Sequence, residues 1–186
     1  MHRLVALALL LTSCAKSPRN LYLRTLDGQT ELGVVYSGFS TALRMRATYL
    51  SGSFRHALAD ERRRLIGVDE ADHERFLALM ADDGAAYDEI VFSAESNVEP
   101  LTRFGESDDV WQLRLIADGV EEPLVTVYQV RKPSALHEQI YAHLNLWNEL
   151  WIARFARTVE GPGELRLVVG SGYGHDELVW TGDQLR

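Results

Sequence analysis

From Thr41 to Leu50 the chain alternates strictly: Leu43, Met45, Ala47 and Tyr49 fall on one side, Arg44, Arg46 and Thr48 on the other. Only an extended strand, whose successive side chains point to opposite faces, turns a period of two into one apolar and one polar surface. The segment therefore demands a sheet and a layer packed against it. The alternation predicts that Leu43, Met45 and Tyr49 are buried and that Arg44, Arg46 and Thr48 face solvent. A slip of one residue would reverse every position.

Other segments read the same way. Leu21–Leu26 is expected as a first strand, closed by the turn dipeptide Asp27-Gly28, and the apolar stretch 33–39, broken by Gly38, as another. Tyr87–Ser93, Trp111–Ile116, Leu124–Val130, Asn148–Arg157, Glu164–Val169 and Asp176–Trp180 complete the strand set. Asp118-Gly119 makes Trp111–Val130 the strongest hairpin signal. Two helices interrupt the pattern. The first, near 53–66, is signalled by Phe54, Leu58, Glu61 and Leu65 between Ser51-Gly52-Ser53 and Gly67. Asp60 stands four residues before Arg64 on it, the favourable order for a surface ion pair. The second, near 70–83, starts at Asp69, carries Phe76, Leu77 and Met80 on one face, and is stopped by Gly84. Leu136, Ile140, Leu144 and Trp147 also keep helical spacing.

The late strands lie too close together for parallel crossovers, which need a dozen or so residues. The expected fold is mainly β with α insertions: an antiparallel β-sandwich of immunoglobulin- or transthyretin-like architecture, plus a helical hairpin.

The 186 residues carry a formal charge of −8, an acidic balance that argues against nucleic acid as a partner. Candidate chemistry is sparse. His137-Glu-Gln-Ile-Tyr-Ala-His143 lacks the histidine at position 141 that a zinc-binding helix requires, and residues six apart point about 240° round a helix. No metal or cofactor is expected. Gly170-Ser-Gly-Tyr-Gly174 has the wrong spacing for a dinucleotide loop and reads as a hairpin turn. His56 and Asp60, with Asp72-His73-Glu74, offer acid–base pairs if the two helices touch. Without a nucleophile motif they are read as solvated helix faces, as is Arg62-Arg63-Arg64. Of the four tryptophans, Trp111 and Trp180 are expected in the core, whereas Trp147 and Trp151 are candidate binding residues able to stack on a sugar ring or dock a partner.

The N-terminus carries Arg3, an unbroken apolar run from Leu4 to Leu11, and then Leu11-Thr12-Ser13-Cys14. The run is too short to span a bilayer, which takes about 20 residues. The layout is that of a secretory signal, and its last four residues resemble the lipobox of bacterial lipoproteins. The resemblance implies a signal peptide over 1–13, a diacylglyceryl group on Cys14, a polar tether over 14–20 and one domain over 21–186. It also implies a cell-envelope location; Ala15 after the cysteine points to the outer membrane, facing the periplasm. Cys14 is the only cysteine, so once acylated it leaves a domain with no disulfide, no thiol nucleophile and no cysteine metal ligand. The expected role is that of a non-catalytic interaction or assembly module with an envelope protein or glycan as partner. A glycan-binding protein or a hydrolase are the alternatives.

Overall fold

The computed structural model of the chain describes residues 17–96, 103–105, 110–145 and 147–186. Cys14 and the signal segment lie outside them. The chain order is α1 (Pro18–Gln29), β1 (Thr30–Ser37), β2 (Ser40–Tyr49), α2 (Gly52–Ile66), α3 (Glu70–Ala86), β3 (Tyr87–Glu95), β4 (Gln112–Ala117), β5 (Val120–Glu122), β6 (Leu124–Gln129), α4 (Ala135–Ile140), β7 (Glu149–Ala156), β8 (Glu164–Ser171) and β9 (Gly174–Thr181), with a closing 3₁₀ turn over Gly182–Leu185. Two antiparallel sheets result, ordered β1-β2-β3-β7-β6 and β5-β4-β8-β9. Among the described residues the protein is thus mainly β, with two sheets and four helices.

The sheets share one core. Met45, Phe92 and Phe155 from the five-stranded sheet meet Leu115, Leu167 and Trp180 from the four-stranded one. As the alternation predicts, Leu43, Met45 and Tyr49 are buried and Arg44 and Arg46 are exposed. Four helices cover the outer face of the larger sheet, where Tyr22, Leu26, Phe54, Leu58 and Ile140 pack on Leu50, Val91 and Leu150. Strand β3 therefore lies between two apolar layers and is buried from Asp88 to Ala94. A strand covered on both faces needs no polar side, which explains its nearly unbroken apolar centre Ile90-Val91-Phe92.

Four expectations need correction. Leu21–Leu26 is helical: Pro18 opens α1, and Tyr22, Leu26 and Gln29 fall at helical spacing on its buried side, with Asp27-Gly28 in the last turn. The folded part thus begins inside the expected tether. Second, Trp111–Val130 is not one hairpin. β4 turns at Asp118-Gly119, both with positive φ (46° and 85°), and pairs with the short β5. Pro123 separates β5 from β6, and β6 joins β7 in the other sheet. Third, Thr48 is fully buried, because loop 141–148 and the end of α1 cover its position. Fourth, the helical spacing expected across 136–147 supports only Ala135–Ile140; the chain leaves the helix at Tyr141.

The two predicted helices form with the expected caps. Ser51 accepts from Phe54 N–H and Asp69 from Asp72 N–H, while Gly67 ends α2 at a left-handed φ of 64°. α3 does not stop at Gly84 but runs on to Ala86. There a Cβ on residue 84 would stand 3.1 Å from Arg55 Nε, so glycine lets the helix pass close over that guanidinium.

Candidate functional site

The residues picked out by their sequence pattern are largely dispersed. Trp111 and Trp180 are core residues. Trp151 joins them at 8 % exposure, stacked on Phe92, which removes it from any surface platform. Its position on β7 opposite Phe92 turns the ring into the sandwich. Trp147 stands 85 % exposed.

His137 and His143 do not converge. His137 Nδ1 accepts the Ser134 N–H at 3.0 Å and so caps its own helix. His56 contacts the Gly52 carbonyl at 2.9 Å, not Asp60. Asp60 instead lies 3.3 Å from His73 Nε2 across the α2–α3 contact. The expected Asp60–Arg64 pair is replaced by Arg64–Glu61 at 2.7 Å, and that guanidinium holds the Glu61 carboxyl below its ordinary range. Arg62 lies over the Phe76 ring and Arg63 pairs with Glu70, so the arginine run is consumed locally. Gly170–Gly174 forms the β8–β9 hairpin, with Ser171 opposite Gly174.

The best-formed polar site lies where loop 141–148 crosses the outer faces of β2 and β3. A chain of hydrogen bonds runs through it. Thr30 Oγ1 donates to the Leu26 carbonyl at 2.7 Å and lies 2.7 Å from Thr48 Oγ1. His143 Nε2 is 3.3 Å from Thr48 Oγ1, and His143 Nδ1 is 2.9 Å from Ser93 Oγ. A carbonyl only accepts and each hydroxyl owns one proton, so the direction is fixed. Thr30 gives its proton to Leu26, Thr48 to Thr30, and His143 donates from Nε2 to Thr48. Nδ1 is left to accept from Ser93. The ring is the neutral Nε2–H tautomer, and its pKa is lowered to about 4, chiefly by burial and then by Arg46.

A serine hydroxyl pointing at a neutral imidazole is the geometry of a nucleophile and base. Acyl transfer also needs free N–H donors for the developing oxyanion. Ser93 sits in a strand paired on both sides, opposite Arg46 and Leu150, which commits the nearby N–H groups to the ladders. The arrangement acts as a clamp: it fastens loop 141–148 to the sheet.

The clamp continues into the loop. Asn148 Nδ2 donates to the His143 carbonyl at 3.0 Å and Asn148 Oδ1 accepts from Asn145 N–H at 2.8 Å. Asn145 Oδ1 accepts from Trp147 N–H at 2.7 Å. Beneath lies a cavity of about 300 Å³ bounded by Arg44, Arg46, Ser93, Glu95, Asn145 and Asn148, among others. Sequence reading singled out Trp147 and His143 but not this arrangement, because Thr30, Thr48, Ser93 and His143 come from four separate stretches with no common motif. Among the described residues no group of three or more His, Cys, Asp or Glu is placed to hold a metal ion. No family model, curated protein or solved structure matches the chain.

Proposed function

We propose that the protein is a lipoprotein of the cell envelope, anchored through Cys14 to the outer membrane on its periplasmic side, and that it works there as a non-catalytic interaction module. Its core is read as immunoglobulin- or transthyretin-like in architecture, which by itself assigns no activity. The recognition element in this reading is loop 141–148, and the observation that carries it is Trp147. An indole 85 % exposed is unusual on a surface, and here the backbone beneath it is cross-tied by Asn145, Asn148 and His143. Ordering the loop in advance lowers the entropy lost on binding. Tryptophan is also among the residues most often found at the energetic centre of interfaces.

A second reading, glycan binding, is favoured by the polar cavity between the same loop and β2 and β3. Arg44, Arg46, Glu95, Asn145 and Asn148 offer planar polar groups to sugar hydroxyls there.

Two measurements test the reading. Native protein should partition into detergent and Cys14→Ser into water; a free Cys14 thiol in the native protein would end the lipoprotein proposal. A photo-crosslinker placed at Trp147 of the anchored protein should capture one envelope protein that the same group at exposed Leu79 does not. Equal labelling at the two sites refutes the protein-partner reading. Binding of soluble envelope glycan fragments that is lost in Trp147→Ala selects the second.

A further inference from the structure

Arg46 is placed where the fold itself makes no use of its charge. On β2 it stands opposite Leu32 of β1 and Ser93 of β3, so its side chain leaves the same outer face of the sheet as the Ser93 hydroxyl that holds His143. It is exposed, it lines the cavity under loop 141–148, and it lies close enough to His143 to disfavour a proton on that ring. Among the described residues it makes no ion pair and no hydrogen bond. A cation set beside a buried imidazole without a counter-ion is unfavourable to the fold, and an anion in the cavity would supply the missing partner.

The rest of the cavity repeats the imbalance. Arg44, two residues away on the same face, stands opposite Glu95, and the two form a loose pair at 3.6 Å. Among the described residues Glu95 is the one carboxylate bounding the cavity, against two guanidiniums, on a chain whose overall charge is −8. The neutral His143 ring adds no charge. Asn145 and Asn148 bring amides whose orientation the loop fixes. Asn145 Oδ1 already accepts from Trp147 N–H, and Asn148 Oδ1 from Asn145 N–H, so what each side chain has left to offer is chiefly N–H. The cavity thus presents an excess of donors and a net positive charge. Ala142 alone among the residues bounding it is apolar. Its volume of about 300 Å³ stands at the lower end of the range of about 300–1,000 Å³ usual for small-molecule sites, which suits a single ring.

We propose that the cavity binds one acidic sugar residue of the uronic acid kind, with its carboxylate on Arg46 and its hydroxyls on Asn145, Asn148 and Glu95. The inference rests on the glycan reading of this loop and narrows it to an anionic glycan. A carboxylate matches the planar fork of a guanidinium, which a neutral hydroxyl does not. Polar walls leave an apolar acid nothing to pack against, so the body of the ligand is hydroxylated. Glu95, offset by Arg44, is left to accept from ring hydroxyls without opposing the ligand's charge.

NMR titration of the full-length protein in detergent with galacturonate, galactose and acetate tests the proposal. Galactose keeps the ring without the charge, and acetate the charge without the ring. Galacturonate should shift the Asn145 and Asn148 side-chain amide signals and the His143 ring signals saturably. The other two should bind at least about tenfold more weakly, the factor one charge-assisted hydrogen bond commands. Arg46→Met, at an exposed strand position, should bring galacturonate down to the level of galactose. Arg75→Met removes the same charge from an exposed position of α3 and should leave binding unchanged. Asn145→Asp keeps an acceptor for Trp147 N–H but sets a carboxylate against the ligand's, and should abolish the preference for galacturonate. Equal affinity for galacturonate and galactose would overturn the proposal and leave the glycan reading standing. Acetate binding as tightly as galacturonate, or no saturable shift with any of the three, would overturn both. Undiminished binding in Arg46→Met, or an equal loss in Arg75→Met, would overturn the proposal alone.

Discussion

Acidification should loosen the protein through His143 before it reaches the range where carboxylates titrate. In the unfolded chain the imidazole titrates near its ordinary 6.5; folded, it is held at about 4 by burial, with Arg46 adding repulsion. The unfolded state therefore binds the proton more tightly. The contribution of His143 to stability is complete above pH 6.5 and is lost progressively as pH falls toward 4. About 2.5 units at 1.36 kcal/mol each gives a loss of about 3 kcal/mol, a large share of the stability of a small domain. The structural cause is specific: a proton on Nδ1 removes the acceptor that Ser93 uses, and the resulting cation lies against β2 beside Arg46. The assay is urea unfolding from pH 7.5 to 4 on wild type and on His143→Gln, which keeps an N–H for Thr48 but does not titrate. Subtracting the two curves cancels the other ionisable groups. The difference should fall by about 3 kcal/mol across the window, and ¹⁵N spectra at pH 5.5 should show the neutral Nε2–H tautomer. A flat difference curve, or an imidazolium signal at that pH, would refute both the hydrogen-bond direction and the clamp built on it.

Two further substitutions probe the core. Met45→Asp places an unpaired carboxylate where the native side chain has no solvent contact, and should cost more than about 4 kcal/mol or abolish folding, read as loss of a cooperative melt. Glu122 is buried at the end of β5, with its carboxyl pushed up first by burial and also by nearby Asp88. An acid whose pKa rises on folding loses stability as pH climbs through that raised value. Glu122→Gln, which needs no proton to stay neutral, should therefore be more stable than wild type at pH 8 by about 1 kcal/mol in urea unfolding. The gain should shrink at pH 5, and a variant less stable at both pH values would contradict the assignment.

Particular elements show where pattern reading succeeds. The β2 alternation, the Ser51 and Asp69 caps and the Gly67 stop were legible because each depends on residues within one turn or one strand. α1 was not legible because the six residues Leu21–Leu26 fit either period, and what selects the helix is the fit of Tyr22 against Phe54 and Ile140, far away in sequence. Of the candidate site, pattern singled out Trp147 as exposed and His143 as half of a histidine pair that does not converge. Arg55 gave no signal, since an arginine on an amphipathic helix is normally solvated and this one is covered by α3, which passes it at Gly84.

The amino-acid order by itself determined the caps and extent of α2, the antiparallel character, the core face of β2 and the acidic charge, all of which follow from near neighbours and composition. Only the tertiary structure decided which sheet each strand joins, that the chain crosses from one sheet to the other at Pro123, and that helices bury the second face of β3. It also decided the relay from Leu26 to Ser93 and the burial of Arg55 under α3 beside Glu89. Burial and hydrogen-bond partners are properties of where separate segments meet in space, and no periodicity within one segment encodes them.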